Sequence, residues 1–350
     1  MGRVSEIRDP RPRRRRPLRV AVGLLVLLGV IGYFVVQKYS DGGAGAPHCT
    51  AAATGAAGSG SATAVQTYEM SPEQAANAAT ITAVGISKGL PDRAVTIALA
   101  TAMQESALRN LDHGDRDSLG LFQQRPSQGW GTAEQIMDPV YSAGIFYDRL
   151  VDVPGYSRLP LTVAAQKVQR SGFPQAYAKH ETDASVLTAA FGENGTLSCS
   201  GPAPLQGDPE KVRTELGRAF GKEAVGGVRG GEPAGRTEAG GTGGSGSGSG
   251  SGGSGRGGPS AAGGSGEAEI SLRLKRDGGP GEQRRGRAMA HWAVARSQEL
   301  GISRVSYDLS SWVAGRQGGQ WRPTAGGGTK GGRTDPMGPV PDEVRIFIAR

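Results

Sequence analysis

Apolar residues fall at helical spacing through most of residues 65–200 and at strand spacing near the C-terminus. Ser71-Pro72-Glu73 opens the first helical stretch, with Ser71 as N-cap and Pro72 at the first helical position. It runs to about Lys88 and is stopped by Gly89. Pro91-Asp92 opens a second helix. Its run from Ala94 to Leu108 is apolar on nearly every side, which predicts burial. Residues 110–128 are polar and turn-rich apart from Leu119, Leu121 and Phe122. Asp138-Pro139 caps a third helix, apolar at Val140, Ala143, Ile145, Phe146 and Leu150, and two more helical patterns cover 161–170 and 175–191. The spacing predicts an all-α or nearly all-α domain over 65–200. Asp208-Pro209-Glu210 then starts a short helical extension within 201–225.

Residues 226–266 are mostly Gly and Ser and read as a disordered linker, a coil spanning roughly 35 Å on average. Beyond it, Ile270-Ser-Leu-Arg-Leu274 alternates as a strand does, 287–300 fits a helix, and 302–307 and 344–348 read as strands. Residues 267–350 are therefore expected to form a small α+β module, interrupted by a Gly-rich loop at 326–332. At the other end, residues 20–36 are seventeen consecutive residues without a charge. That is the short end of a membrane span, which Leu18 and a snorkelling Arg19 would lengthen. A cleaved signal peptide is the competing assignment. The apolar stretch is long for one, and no small-x-small site directly follows it. Residues 37–64, rich in Gly, Ala and Ser, read as a flexible spacer.

The formal charge of +8 first suggests a nucleic-acid partner, but +6 of it lies in residues 1–19. A basic tail before an apolar span stays cytoplasmic and meets anionic lipid, so everything after Val36 is expected outside the membrane and no nucleic-acid partner is implied. With 59 Gly and 5% aromatics, the chain has little bulky material for one continuous core. The two cysteines, Cys49 and Cys199, bracket the helical region. An oxidising compartment permits a disulfide between them, the alternative being two free thiols.

The chemistry centres on Glu105, the one carboxylate near the end of the apolar run. Desolvation raises the pKa of such a group, and an acid still protonated near neutral pH can protonate a leaving oxygen. Glu105-Ser106, followed by Gly120-Leu-Phe-Gln123, resembles the lysozyme-like lytic transglycosylase family. Phe122 stands where that family usually has Met, and Ala176-Tyr177-Ala178 lacks the Asn of its Ala-Tyr-Asn motif. The resemblance covers about residues 70–195. It implies a lysozyme-like fold acting on peptidoglycan glycan strands, with Glu105 as general acid and then base. It further implies that Ser106 belongs to the substrate site, that Gln123 bonds a sugar substituent and that Tyr177 orients the Glu105 carboxyl. Trp130 and Phe122 are candidates to stack on sugar faces, or to pack in the core. A hydrolase needs a second carboxylate. Asp112, Asp115 and Asp117 are candidates, each read first as a solvated turn residue that Arg116 is placed to neutralise. A transglycosylase needs only one acid, which the single buried Glu favours. A non-catalytic wall binder is the rival reading.

The C-terminal run Ala290-His-Trp-Ala through Asp308, with Val344–Ile348, resembles a degenerate D-alanyl-D-alanine peptidase-like domain. One His, His291, is too few for a zinc site, so no metal and no cofactor are expected. Trp292, Trp312 and Trp321 are assigned to core packing before a surface platform. The layout is also similar to single-pass chains described as heavy-metal transporters. One span and scattered His and Cys give transport no support. The expected fold class is thus multidomain: a transmembrane helix, a mainly α lysozyme-like domain, a disordered linker and a small α+β module.

Overall fold

Ser71 starts helix α1 (Pro72–Ser87) through a full capping box: its hydroxyl accepts from the Gln74 amide nitrogen, and the Gln74 side chain returns a bond to the Ser71 backbone. The computed structural model describes residues 46–54, 65–173, 175–222, 229–231, 267–274, 280–315, 319–324 and 343–350. Helix α2 (Asp92–Ser106) follows, then a single turn α3 (Ala133–Ile136), α4 (Pro139–Val151) capped by Asp138, and α5 (Leu161–Gln169). The pattern read as one helix over 175–191 is a 3₁₀ turn (Ala176–His180) leading into α6 (Glu181–Phe191). Helix α7 (Pro209–Phe220) starts where Asp208 caps it.

Strands β1 (His48–Thr54), β2 (Val65–Met70) and β3 (Gly195–Ser200) form an antiparallel sheet of order β2-β1-β3. Cys49 and Cys199 lie directly opposite one another in the β1–β3 ladder and are joined by a disulfide. Six strands make a second antiparallel sheet: β4 (Arg229–Gly231), β5 (Ala268–Arg273), β6 (Ile302–Tyr307), β7 (Ser310–Val313), β8 (Arg322–Pro323) and β9 (Glu343–Ile348). Their order is β4-β5-β9-β6-β7-β8. Helix α8 (Pro280–Ala295) and the turn α9 (Ser297–Leu300) complete the described residues.

The fold class is therefore α+β, with nine helices among the described residues and two antiparallel sheets. This corrects the expectation of a mainly α domain tied by a linker to a separate small module. The described residues from Ala46 to Arg350 cluster as one compact unit. Helix α8 packs on β6 and β9 on one side and on α1 and β3 on the other. Its Trp292 is fully buried, edge-on to Phe220 of α7, and the Trp321 indole nitrogen donates to the Leu197 carbonyl of β3. Scarcity of aromatics does not break up the core, because alanines fill it. Cys49, Ala51 and Ala53 alternate on the buried face of β1, and their small side chains let α6 lie close. For the same reason β1 escapes detection: it lacks bulky alternation, and its pairing with β2 and β3 makes it a strand.

Part of the stretch read as linker, Arg229–Gly231, is paired with β5; residues 232–266 lie outside the described residues. So do the basic tail at 1–19 and the span expected at 20–36. Among the described residues no helix is long and apolar enough to cross a membrane.

Candidate active site

Helix α2 ends abruptly beside a cleft. Ala107 and Leu108 both take left-handed backbone (φ 53° and 61°), and their amides bond back to the Met103 and Ala102 carbonyls. Two side chains of α1 hold the turn from behind: Gln74 donates to the Ala107 carbonyl (2.9 Å) and Asn77 to the Leu108 carbonyl (2.8 Å). Glu105 therefore sits in the last turn of a buried helix, at the negative end of its dipole, where a carboxylate is disfavoured. Its half-buried side chain lines an open cleft of about 1000 Å³.

Burial pushes the Glu105 pKa up; hydrogen bonds from Tyr177 and Gln169 draw it down without cancelling the effect. The Tyr177 hydroxyl donates to Glu105 Oε1 at 2.6 Å. Tyr177 is fully buried, and burial, reinforced by the Glu105 charge, raises its own pKa, so the phenol remains a donor. Gln169 ends α5, donates to the Phe122 carbonyl (2.8 Å) and also bonds the Glu105 carboxyl. No second carboxylate contributes to the Glu105 shift among the described residues.

The Gly120–Gln124 segment is a tight loop closed by paired backbone bonds between Leu119 and Gln124. Leu121 and Phe122 are fully buried, Phe122 stacked on Phe146 of α4 (ring centroids 4.6 Å). These two anchors fix the loop, and left-handed backbone at Gly120 (φ 74°) and Gln123 (φ 47°) turns the chain at each end. A β-carbon at Gly120 would lie 2.7 Å from the Ile136 carbonyl oxygen, so the position requires Gly on two counts. Gln123 then lines the cleft, with long bonds (3.3 Å) to the His113 and Gly120 carbonyls.

Glu105, Gln123 and Trp130 thus line one cleft, and Tyr177 reaches it through Glu105. Ser106 lies elsewhere. It is buried, and its hydroxyl bonds the Leu121 carbonyl (2.8 Å) and the Ala102 carbonyl (3.0 Å), so it fastens the loop to α2 and is not among the residues lining the cleft. Trp130 is largely covered, with the Arg149 guanidinium 3.5 Å over its ring. Phe122 is a core residue and cannot stack on a sugar. Of the acidic loop, Asp117 is held well below the usual carboxylate range by Arg125 (2.8 Å), then by the Ser127 backbone and hydroxyl. Its partner is Arg125 where the sequence pointed to Arg116. Asp112 pairs with His113, and Asp115 lines the cleft opposite Arg116 (4.0 Å). Sequence reasoning missed Gln169 and the cations Arg149, Lys167 and Arg170; no local signal marks them, because α4 and α5 bring them to Glu105 only in three dimensions.

In the second sheet region, Trp292 and Trp312 are core residues. His291 is buried against Trp321, and burial lowers its pKa to about 3. Among the described residues no group of His, Cys, Asp and Glu is placed to hold a metal ion. No protein-family model matches the sequence, and no curated protein is significantly similar to it.

Proposed function

We propose that this chain cleaves the glycan strands of peptidoglycan with Glu105 as its single acid, as a lytic transglycosylase does. One observation carries the reading: a carboxyl whose pKa burial raises, lining an open cleft and bonded by a buried phenol. The sequence resemblance of Glu105-Ser106 and Gly120–Gln123 to that family supports it. The Cys49–Cys199 disulfide fits an oxidising location outside the cytoplasm, where the wall lies.

In the proposed reaction Oε1 accepts from Tyr177, so the proton of the neutral acid belongs on Oε2. Glu105 gives that proton to the glycosidic oxygen as its bond to the anomeric carbon breaks. A hydroxyl of the same sugar closes on the anomeric carbon, and its proton returns to Glu105. One product ends in a free hydroxyl and the other in an anhydro sugar. Water is not consumed, and no second carboxylate is needed. Gln123, which lines the cleft, would bond a substituent of the bound sugar.

A glycan-binding role without cleavage is the second reading. It is favoured by Tyr177 and Gln169, which both stabilise the ionised carboxylate that cannot act as an acid. Incubating the purified chain with peptidoglycan and weighing the released fragments by mass spectrometry separates the two. Anhydro ends that vanish in Glu105→Gln support the proposal, reducing ends indicate hydrolysis, and no release from the unsubstituted chain leaves the binding reading.

A further inference from the structure

Two helices end side by side on the cleft wall. Arg149 lies in the last turn of α4, Lys167 in the last turn of α5, and Arg170 caps α5; all three line the cleft that holds Glu105. The other two cations of the lining are matched, Arg116 by Asp115 and Arg125 by Asp117. Arg149, Lys167 and Arg170 have no ion pair among the described residues. Asp152, which also lines the cleft, makes none with them.

A helix C-terminus attracts cations, which accounts for each of these side chains on its own helix. It does not account for their convergence. Arg149 and Arg170 repel: burial first, and then the charge of Arg170, lowers the Arg149 pKa. Arg149 is held in place nonetheless, stacked on Trp130 and donating to the Gly129 carbonyl at 2.7 Å. Arg170 takes left-handed backbone (φ 52°), a position where Gly carries no strain. An exposed aromatic, Phe173, stands on the same rim. Like charges gathered in a cleft without ion-pair partners of their own are offset when an anion binds between them.

We infer that Arg149, Lys167 and Arg170 form a subsite for a carboxylate carried by the glycan, so that the cleft selects acidic over neutral sugar chains. The inference rests on the cleft being the glycan site proposed above, whether or not that site cleaves. A carboxylate borne on the sugar would meet the guanidinium fork of Arg149 or Arg170 with two parallel bonds. Lys167 would add a mobile point charge.

The test measures binding. The probes are short oligomers of alternating N-acetylglucosamine and N-acetylmuramic acid with a free lactyl carboxylate, and the same oligomers with that group amidated. The carboxylate form is expected to bind the unsubstituted chain about tenfold tighter at low salt, with the advantage shrinking as salt rises. In the double variant Lys167→Gln/Arg170→Gln, two exposed positions, the ratio should fall to about threefold or less. Equal affinities for the two oligomers in the unsubstituted chain, or a ratio untouched by the double variant, overturn the inference. A polyol-phosphate polymer that binds more tightly than the acidic oligomer also overturns the carboxylate assignment. Cleavage is read separately. Preference without product sinks the catalytic reading and leaves the subsite standing, whereas anhydro product without preference does the reverse.

Discussion

Tyr177→Phe isolates the hydrogen bond on which the acid depends. The substitution removes one oxygen from a fully buried ring and leaves the packing area intact. What is lost is the 2.6 Å bond to Glu105 Oε1, together with the bond that Ser171 makes to the phenol. Against a neutral acid such a bond contributes roughly 0.5–1.5 kcal/mol, and against an ionised one roughly 1.5–3 kcal/mol. The cost of the substitution must therefore grow as Glu105 ionises. The sign follows from burial. The folded-state pKa of Glu105 is raised, so its contribution to stability is complete below the unfolded carboxyl value and is lost as pH rises through the folded value. Without the phenol the ionised form loses a donor, the pKa rises further, and the loss continues to higher pH. Urea unfolding of both proteins at a series of values from about pH 4 to pH 9 brackets this window. The gap between them should be small at the acid end, widen by about 1 kcal/mol or more, and then level off. Repeating the pair on a Glu105→Gln background should give a gap that does not change with pH. A gap that is flat or narrowing with pH in the Glu105 proteins would falsify the coupling of these two side chains.

Glu105→Gln should reduce glycan cleavage by about 10²- to 10⁴-fold while leaving far-UV circular dichroism unchanged. Its stability should exceed that of the parent above the Glu105 pKa, where the parent buries a charge; lower stability there argues against a buried acid. Replacing both Cys49 and Cys199 by Ser opens a loop of 150 residues and should cost about 5 kcal/mol on the chain-entropy account, read from denaturant midpoints. Arg296→Ala removes the guanidinium that Glu215 meets at 2.8 Å in a nearly buried site and leaves Glu215 only Arg218 (3.1 Å), and should cost about 1.5–3 kcal/mol. Burial raises the Glu215 pKa, but Arg296 and then Arg218 outweigh it and set a net depression. Its stabilisation is therefore present above the unfolded carboxyl value and lost as pH falls through the folded one, and the variant should show a flatter acid limb.

What the sequence determines by itself is local. Helix starts need one capping side chain and its next few residues, so Ser71, Asp138 and Asp208 declare α1, α4 and α7 without reference to the rest of the chain. The all-round apolar character of α2 likewise announces burial, and with it the raised pKa of Glu105. Tertiary structure decides whatever depends on a partner distant in sequence. Ala-rich β1 is a strand because β2 and β3 flank it, and Ser106 serves the Gly120 loop because that loop returns to it. The α+β module is not separate, because α8 buries one side against α1 and β3. Gln169 and the cationic wall reach the cleft only where α4 and α5 converge. Capping and periodicity are short-range energies that a few neighbouring residues express. Pairing, packing and the field within a cleft come from groups that folding alone brings together.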